Sequence, residues 1–375
     1  MAPQIDLLTS SRWTDYELLD SGDGQKLERF GPYTFVRPEV QALWTRALPA
    51  RTWQDAHAVF QPTGEESGGH WKFNKPIDEK WEMNYLLTPT PPALRYVSAG
   101  VQEVDPGSSS PLLSGSIPEK AEQPGAMDFP DKSFKYHRSE IQNKGKQGGL
   151  RLWVQTTPGR HLGVFPECAA NWDWMAGLIK HSGESLPALR SSAGPGPDSP
   201  AQVHPINVLN LFGYTGLATL AAAAAGAQVT HVDASKKSVT WARENQALSD
   251  LAEKPIRWIV DDALKFVQRE GRRGVKYDGI LLDPPKFGRG PKGEVWEVYK
   301  SLPELLQACR VLLNERPLFV LLTVYAVKLP AVHAYLALAE MLKGFGGKLE
   351  CGELVTQEKS ASRLLSQAVY ARWNA

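Results

Sequence analysis

"INVLNLFGYTGLATLAAAAAGAQVTHVDA", residues 206–234, decides how this chain folds. "INVLNLF" is a short apolar run suited to a strand buried on both faces, "GLATLAAAAAGA" is a helix that stops at Gly226, and "QVTHVDA" is a second strand. Two such strands joined through a helix lie parallel in one sheet. The turn between strand and helix carries Gly213 and Gly216, which let backbone approach a ligand at a helix N-terminus.

Downstream the alternation continues. "KSVTWARENQALSDL" is a helix, "IRWIVDD" a strand, "ALKFVQREG" a helix, "YDGILLDPP" a strand, "LPELLQACRVLL" a helix, "PLFVLLTVY" a strand and "VHAYLALAEMLKGF" a helix. The series predicts an α/β fold over residues 205–375, a doubly wound, Rossmann-like parallel sheet with helices on both faces. Ligands of such sheets bind beyond the carboxyl ends of the strands, where the strand order reverses. Upstream, residues 1–98 are rich in tryptophan and short strand-like pieces such as "YTFVR" and "HWKFN", with one piece of helical spacing, "RPEVQALWTRAL"; they predict a small, mainly β domain. Residues 99–130 are rich in Gly, Ser and Pro and have no period, as expected of a linker or insertion. Residues 131–204 predict a β-hairpin in "LRLWVQTTPGRHLGVFPE" and a helix in "ANWDWMAGLIKH", then a flexible stretch over 183–203.

The strands of the second half deliver polar features to one sheet edge. Asp233 closes the second strand, Asp261 and Asp262 the third, and Asp283 the fourth. A single strand-end acid often just caps the following helix. In register, the acids describe a nucleoside pocket: one carboxylate accepts from both ribose hydroxyls and the next lies near an adenine amine. "GYTGLA" is spaced G-x-x-G rather than G-x-G-x-x-G and is not followed by a P-loop Lys, so neither a dinucleotide pyrophosphate nor a triphosphate is well served. After Asp283, Pro284 and Pro285 fix two φ angles and remove two donors, which stops the strand and holds the acid in place.

These residues, with "DDALKFV", "YDGILLDPPKFGRG", "HLGVFPECAANW" and the final "GGKLECGELVTQE", resemble the class I S-adenosylmethionine-dependent methyltransferases. Within that family they are similar to the group that contains bacterial large-subunit ribosomal RNA methyltransferases with a D-P-P-K-F signature. The resemblance covers residues 150–375 and implies S-adenosylmethionine as cofactor. It places Asn210, Phe212, Gly213, Tyr214, Thr215 and Gly216 beside the methionine part, Asp233 and Ala234 at the ribose, Asp262 at the adenine amine and Phe165 in a segment that closes over the cofactor. Asp283 and the carbonyls of Pro284 and Pro285 would face the methyl group. Lys286 and Arg289 would meet phosphate, and Phe287 would stack on a base. Methylation at a pyrimidine C5 needs a cysteine nucleophile beside the double proline or after the fifth strand. Those places read "DPPKFG" and "LLTVYAVKL", so a base nitrogen is the expected target. Small-molecule and protein substrates share the same core, and an inactive RNA-binding relative would keep it.

Composition narrows the remaining classes. A formal net charge of +1 supplies no global attraction to polyanions, so an RNA partner must be gripped locally; the basic segment 131–151, with Phe134 and Tyr136 interleaved, is either such a strip or ordinary solvated surface. Cys168, Cys309 and Cys351 are odd in number and far apart, which argues against disulfides and structural zinc, and the scattered histidines predict no metal site. No apolar run approaches the roughly 20 residues of a membrane helix, and "MAPQIDLLTSSRW" has neither a signal core nor transit character. A cytoplasmic location is expected.

Overall fold

The computed structural model describes residues 3–10, 12–63, 68–87, 149–189, 205–325 and 329–375. The linker at 99–130, nearly all of the basic segment 131–151 and residues 190–203 lie outside the described residues. Five strands, β2 (Tyr16–Gly22), β3 (Gln25–Phe30), β4 (Tyr33–Pro38), β5 (Ala58–Pro62) and β6 (Gly69–Phe73), form one sheet in sequence order, following β1 (Ile5–Thr9) and interrupted by the short helix α1 (Ala50–Gln54). Strand β7 (Trp81–Tyr85) pairs antiparallel with β8 (Leu150–Val154).

Two local expectations are corrected here. The piece "RPEVQALWTRAL" is not helical: its apolar Val40 and Leu43 are exposed, and the segment is laid along the β2–β3 turn by Asp23 N–H to Trp44 O (2.7 Å) and Gly24 N–H to Ala42 O (3.0 Å). Gly22 allows this, because a Cβ there would meet Arg46 N at 2.6 Å. The hairpin expected around residues 150–167 is likewise not formed, since β8 finds its partner in β7, far away in sequence. The chain beyond it is a loop held by Thr157, whose hydroxyl donates to His161 O at 2.7 Å.

A 3-10 turn at Pro166–Cys168 leads into α2 (Ala169–Leu189), which runs into the stretch expected to be flexible. The βα series then follows as read: β9 (Asn207–Leu211), α3 (Leu217–Ala224), β10 (Gln228–Asp233), α4 (Lys236–Leu248), β11 (Ile256–Val260), α5 (Ala263–Arg272) and β12 (Gly279–Leu282). A small hairpin, β13 (Phe287–Arg289) with β14 (Val295–Glu297), precedes α6 (Val298–Leu312), β15 (Phe319–Tyr325), α7 (Ala331–Met341) and the antiparallel pair β16 (Lys348–Gln357) and β17 (Leu364–Asn374). The large sheet has the order β1-β16-β17-β15-β12-β9-β10-β11. Its direction of growth reverses between β9 and β12, where a doubly wound sheet opens a crevice. The first residues are built into the same sheet, because β1 pairs parallel with β16.

Period-2 alternation sorts the sheet into two cores. Ile280, Leu282, Val320 and Leu322 face one core with α5, α6 and α7, while Val208, Leu281 and Leu321 face the other with α2, α3 and the N-terminal aromatic residues. The same alternation places Asn210, Asp283, Thr323 and Tyr325 on the α2 side. The register Leu281 to Asn210 and Leu281 to Leu321 sets them side by side at the strand ends.

Candidate functional site

A cavity opens at those strand ends, between the sheet and the start of α2. Asn210, Gly213, Tyr214, Asp283, Thr323 and Tyr325 contribute to its sheet side, and Phe165, Cys168, Asn171 and Trp172 to the other. Of the residues singled out in the sequence, Phe165, Asn210, Phe212, Gly213, Tyr214, Thr215 and Asp283 are brought together around it.

The glycine loop is wound tightly. Phe212 (φ 59°) and Tyr214 (φ 48°) both occupy the left-handed region, as does Gly216 (φ 86°), and a non-glycine residue there carries roughly 1–3 kcal/mol of strain. Neighbouring groups hold it: Tyr214 N–H donates to Asp233 Oδ2 at 2.8 Å, the Thr215 hydroxyl to Gly163 O at 2.7 Å, and Asn245 Nδ2 to Thr215 O at 2.9 Å. Both glycines first admit protein. A Cβ on Gly213 would meet the His231 ring at 2.3 Å, and one on Gly216 would meet Ala242 Cβ at 2.7 Å. His231 is buried and neutral, with burial pushing its pKa down to about 3, and its Nδ1 lies 2.9 Å from the Thr219 hydroxyl, whose oxygen accepts from Asn210 Nδ2.

Asp233 accepts one backbone N–H on each oxygen, from Tyr214 and from Ser235, both at 2.8 Å. Burial raises its pKa against the lowering effect of these two bonds. Asp262 caps α5, its Oδ1 accepting from Lys265 N–H at 3.0 Å, and Asp261 pairs with Arg269. Ala234 sits between Asp233 and Ser235, the cap of α4. Gly216, Asp233, Ala234 and Asp262 do not line the cavity itself.

Asp283 is the most perturbed acid of the group. Its Oδ2 accepts from the Tyr325 hydroxyl at 3.0 Å, while its Oδ1 is shielded from solvent and has no hydrogen-bond partner among the described residues. Burial raises its pKa to about 8, with Glu167 and Asp233 adding to the rise and Tyr325 opposing it. The Tyr325 hydroxyl has one hydrogen, directed at Asp283, so the Cys168 thiol 2.9 Å away donates to the tyrosine oxygen. Burial, with the charge of Asp283, pushes the Cys168 pKa well up, which keeps it a thiol. Phe165 packs on Tyr325 (4.9 Å between centroids) and Tyr214 (5.8 Å). His161 packs on Phe165 at 5.1 Å and is kept neutral by burial, with a pKa near 3.

The double proline is arranged differently from expectation. Pro285 O accepts from the Trp296 indole at 2.7 Å, which turns this carbonyl to the β13–β14 hairpin, and neither proline lines the cavity. Trp296 also packs on Phe212 at 4.8 Å, so one buried ring ties the hairpin to the glycine loop. Lys286, Phe287 and Arg289 lie exposed on or beside that hairpin, with Phe287 53% exposed. Among the described residues no group of three or more His, Cys, Asp or Glu side chains could hold a metal ion, and no helix is long and apolar enough to cross a membrane.

Sequence reasoning missed Tyr325, Cys168 as its partner, and Asn171. Tyr325 is a polar residue at the end of the fifth strand, so the strand-end rule applied to the other strands finds it. Nothing in the sequence marks Asn171, whose place depends on how α2 docks.

Residues 199–309 match the family model described as conserved hypothetical protein 95. The chain is 36% identical to the SAM-dependent methyltransferase from Agrobacterium tumefaciens, covering 100% of this chain and 97% of that one with a TM-score of 0.72. SMU.776, solved in complex with SAH, is 14% identical, with a TM-score of 0.57 over 97% of this chain and 76% of that one, a likeness of fold. Among curated relatives, the ribosomal RNA large subunit methyltransferase K/L of Shewanella frigidimarina is 39% identical over 102 residues, 27% of this chain and 14% of that protein. That of Aeromonas hydrophila subsp. hydrophila is 27% identical over 193 residues, 51% of this chain and 23% of that protein. The chain thus spans less than a quarter of the length of these two curated relatives.

Proposed function

We propose, for a chain that belongs to the S-adenosylmethionine-dependent methyltransferases, that its acceptor is a base nitrogen of RNA, most simply ribosomal RNA. S-adenosylmethionine is the cofactor. The residues at the strand ends suit it, because the tight loop at Gly213 and Gly216 lacks the Cβ atoms that would force it open, and two buried polar atoms at the cavity, Asp283 Oδ1 and Asn171 Nδ2, await partners. In this reading the loop from Asn210 to Gly216 lies along the methionine end, Asp233 and Ala234 hold the ribose, Asp262 takes the adenine amine on the oxygen not used as a cap, and Phe165 covers the site. Each Asp233 oxygen keeps a lone pair beyond its one backbone N–H, so both can accept a hydroxyl.

What the bound cofactor supplies is a methyl carbon made electrophilic by positive sulfur. Asp283 does the rest at the acceptor. Its partnerless Oδ1 accepts an N–H of the incoming amine, orients the nitrogen lone pair, and can take the proton that the nitrogen loses. Pro284 and Pro285 keep the acid from swinging away. Phe287 offers a face for a base, and Lys286 and Arg289 offer charge to phosphate. Cys168, held as a thiol, is a poor nucleophile, which disfavours attack on a pyrimidine ring. Such a substrate places the protein in the cytoplasm.

The observation that carries this reading is the Oδ1 of Asp283, without a hydrogen-bond partner among the described residues, beside an exposed aromatic and basic hairpin. Tritiated-methyl transfer to ribosomal RNA, total tRNA and a metabolite extract tests it, followed by nuclease digestion to identify the base. Label confined to metabolites would exclude an RNA acceptor.

A further inference from the structure

Asn171 is 1% exposed, in the first turn of α2, and lines the cavity. Its Oδ1 accepts from Arg372 at 3.3 Å. A guanidinium can only donate, so this contact settles which end of the amide is oxygen. Nδ2 is therefore the other end, and it has no hydrogen-bond partner among the described residues. A buried amide donor left unmatched loses the hydrogen bonds it had in water, so a ligand that supplies an acceptor there is favoured.

The surroundings select the kind of acceptor. Arg372 is buried, anchored by two bonds to Glu350 Oε2 at 3.1 Å and stacked over Trp174 at 4.8 Å, so its contact with Oδ1 is fixed and draws electron density away from Nδ2. Asn171 also lies at the positive end of a long helix. Both effects strengthen an N–H donor toward an anion. S-adenosylmethionine has one anionic group, the carboxylate of its amino-acid end, and the glycine loop that would lie along that end lines the same cavity.

We propose that Asn171 reads the cofactor's carboxylate through Nδ2, with Arg372 behind it as the residue that fixes the amide's orientation; this rests on the S-adenosylmethionine reading. Arg372 acts through Asn171 and is a positioning residue.

The test is calorimetry on the full chain with S-adenosylhomocysteine, which has the carboxylate, and 5′-methylthioadenosine, which lacks the amino-acid end. The parent should bind the first more tightly. Asn171→Asp keeps an acceptor for Arg372 and replaces the donor with an acceptor, so S-adenosylhomocysteine affinity should fall roughly tenfold or more while methylthioadenosine affinity stays within about twofold. Asn171→Ala, measured in the same way, guards against an effect peculiar to the added charge and should show the same selective loss. Unchanged S-adenosylhomocysteine binding, or an equal loss for both ligands, would overturn the assignment. A parent that binds neither ligand would instead overturn the cofactor reading and this inference with it.

Discussion

Tyr325 and Asp283, 42 residues apart in sequence, are joined by a hydrogen bond of 3.0 Å in which the phenol donates to Oδ2. The bond leaves Oδ1 as the oxygen available to a ligand and favours the charged form of an acid that burial holds near a pKa of about 8. If Asp283 works as an acceptor, methyl transfer should rise with pH through about 8 as the carboxyl ionises. Tyr325→Phe keeps the ring against Phe165 and removes the bond, so the midpoint should move to higher pH and kcat near pH 7 should fall by roughly tenfold. A superimposable pH profile in the variant would show that the bond does not tune the acid.

Asp283→Asn should lower kcat strongly with little change in S-adenosylhomocysteine affinity, because the interaction is made with the acceptor in the transition state. Equal losses in both would reassign Asp283 to the cofactor.

The same acid gives stability a pH dependence of unusual sign. Between about pH 4, where an unfolded Asp ionises, and about pH 8, the folded chain keeps a proton that the unfolded chain has lost, so this group makes stability fall as pH rises. Asp283→Asn removes that slope. Thermal melts should give matching Tm values near pH 4 and a higher Tm for the variant near pH 8.5, by about 2–4 °C per kcal/mol relieved. A Tm difference between variant and parent that is the same at both pH values would contradict the raised pKa.

Asp233→Ala removes the proposed acceptor for two ribose hydroxyls and also frees Tyr214 N–H in the strained loop. Affinity for S-adenosylhomocysteine should drop tenfold or more, and the Tm should fall as well. Wild-type affinity in calorimetry would remove Asp233 from the site.

The chemistry should not require cysteine. With Cys168→Ser, which retains a donor to Tyr325, combined with Cys309→Ala and Cys351→Ala, turnover should stay within a few-fold of the parent. A folded, cofactor-binding triple variant without turnover, or a protein-linked adduct with RNA containing 5-fluorocytidine, would restore C5 methylation as the leading reaction.

Much of the molecule was legible in the sequence because the relevant physics is local. The strands and helices from residue 205 follow from runs of apolar residues and their breaks, and the strand-end positions of Asp233, Asp262 and Asp283 follow from where each run stops. Other features depended on partners distant in the chain. Strand β8 pairs with β7 across the intervening residues, which no local period reports, and the segment around Val40 gives up its helical spacing to pack on a glycine turn. Pro285 carries no sign that Trp296 will take its carbonyl. The donor of Asn171 and the acceptor of Asp283 became distinctive only when folding paired one end of each side chain, with Arg372 and with Tyr325, and left the other end buried and unmatched. Sequence alone determined the parallel strands from β9 to β15 and the residue types at their ends, since both rest on near neighbours and periodicity, whereas the place of β1 beside β16 came from long-range pairing. Which polar atoms remain open to a ligand was decided by the tertiary structure, because satisfaction of a hydrogen-bonding group depends on contacts between residues far apart in the chain.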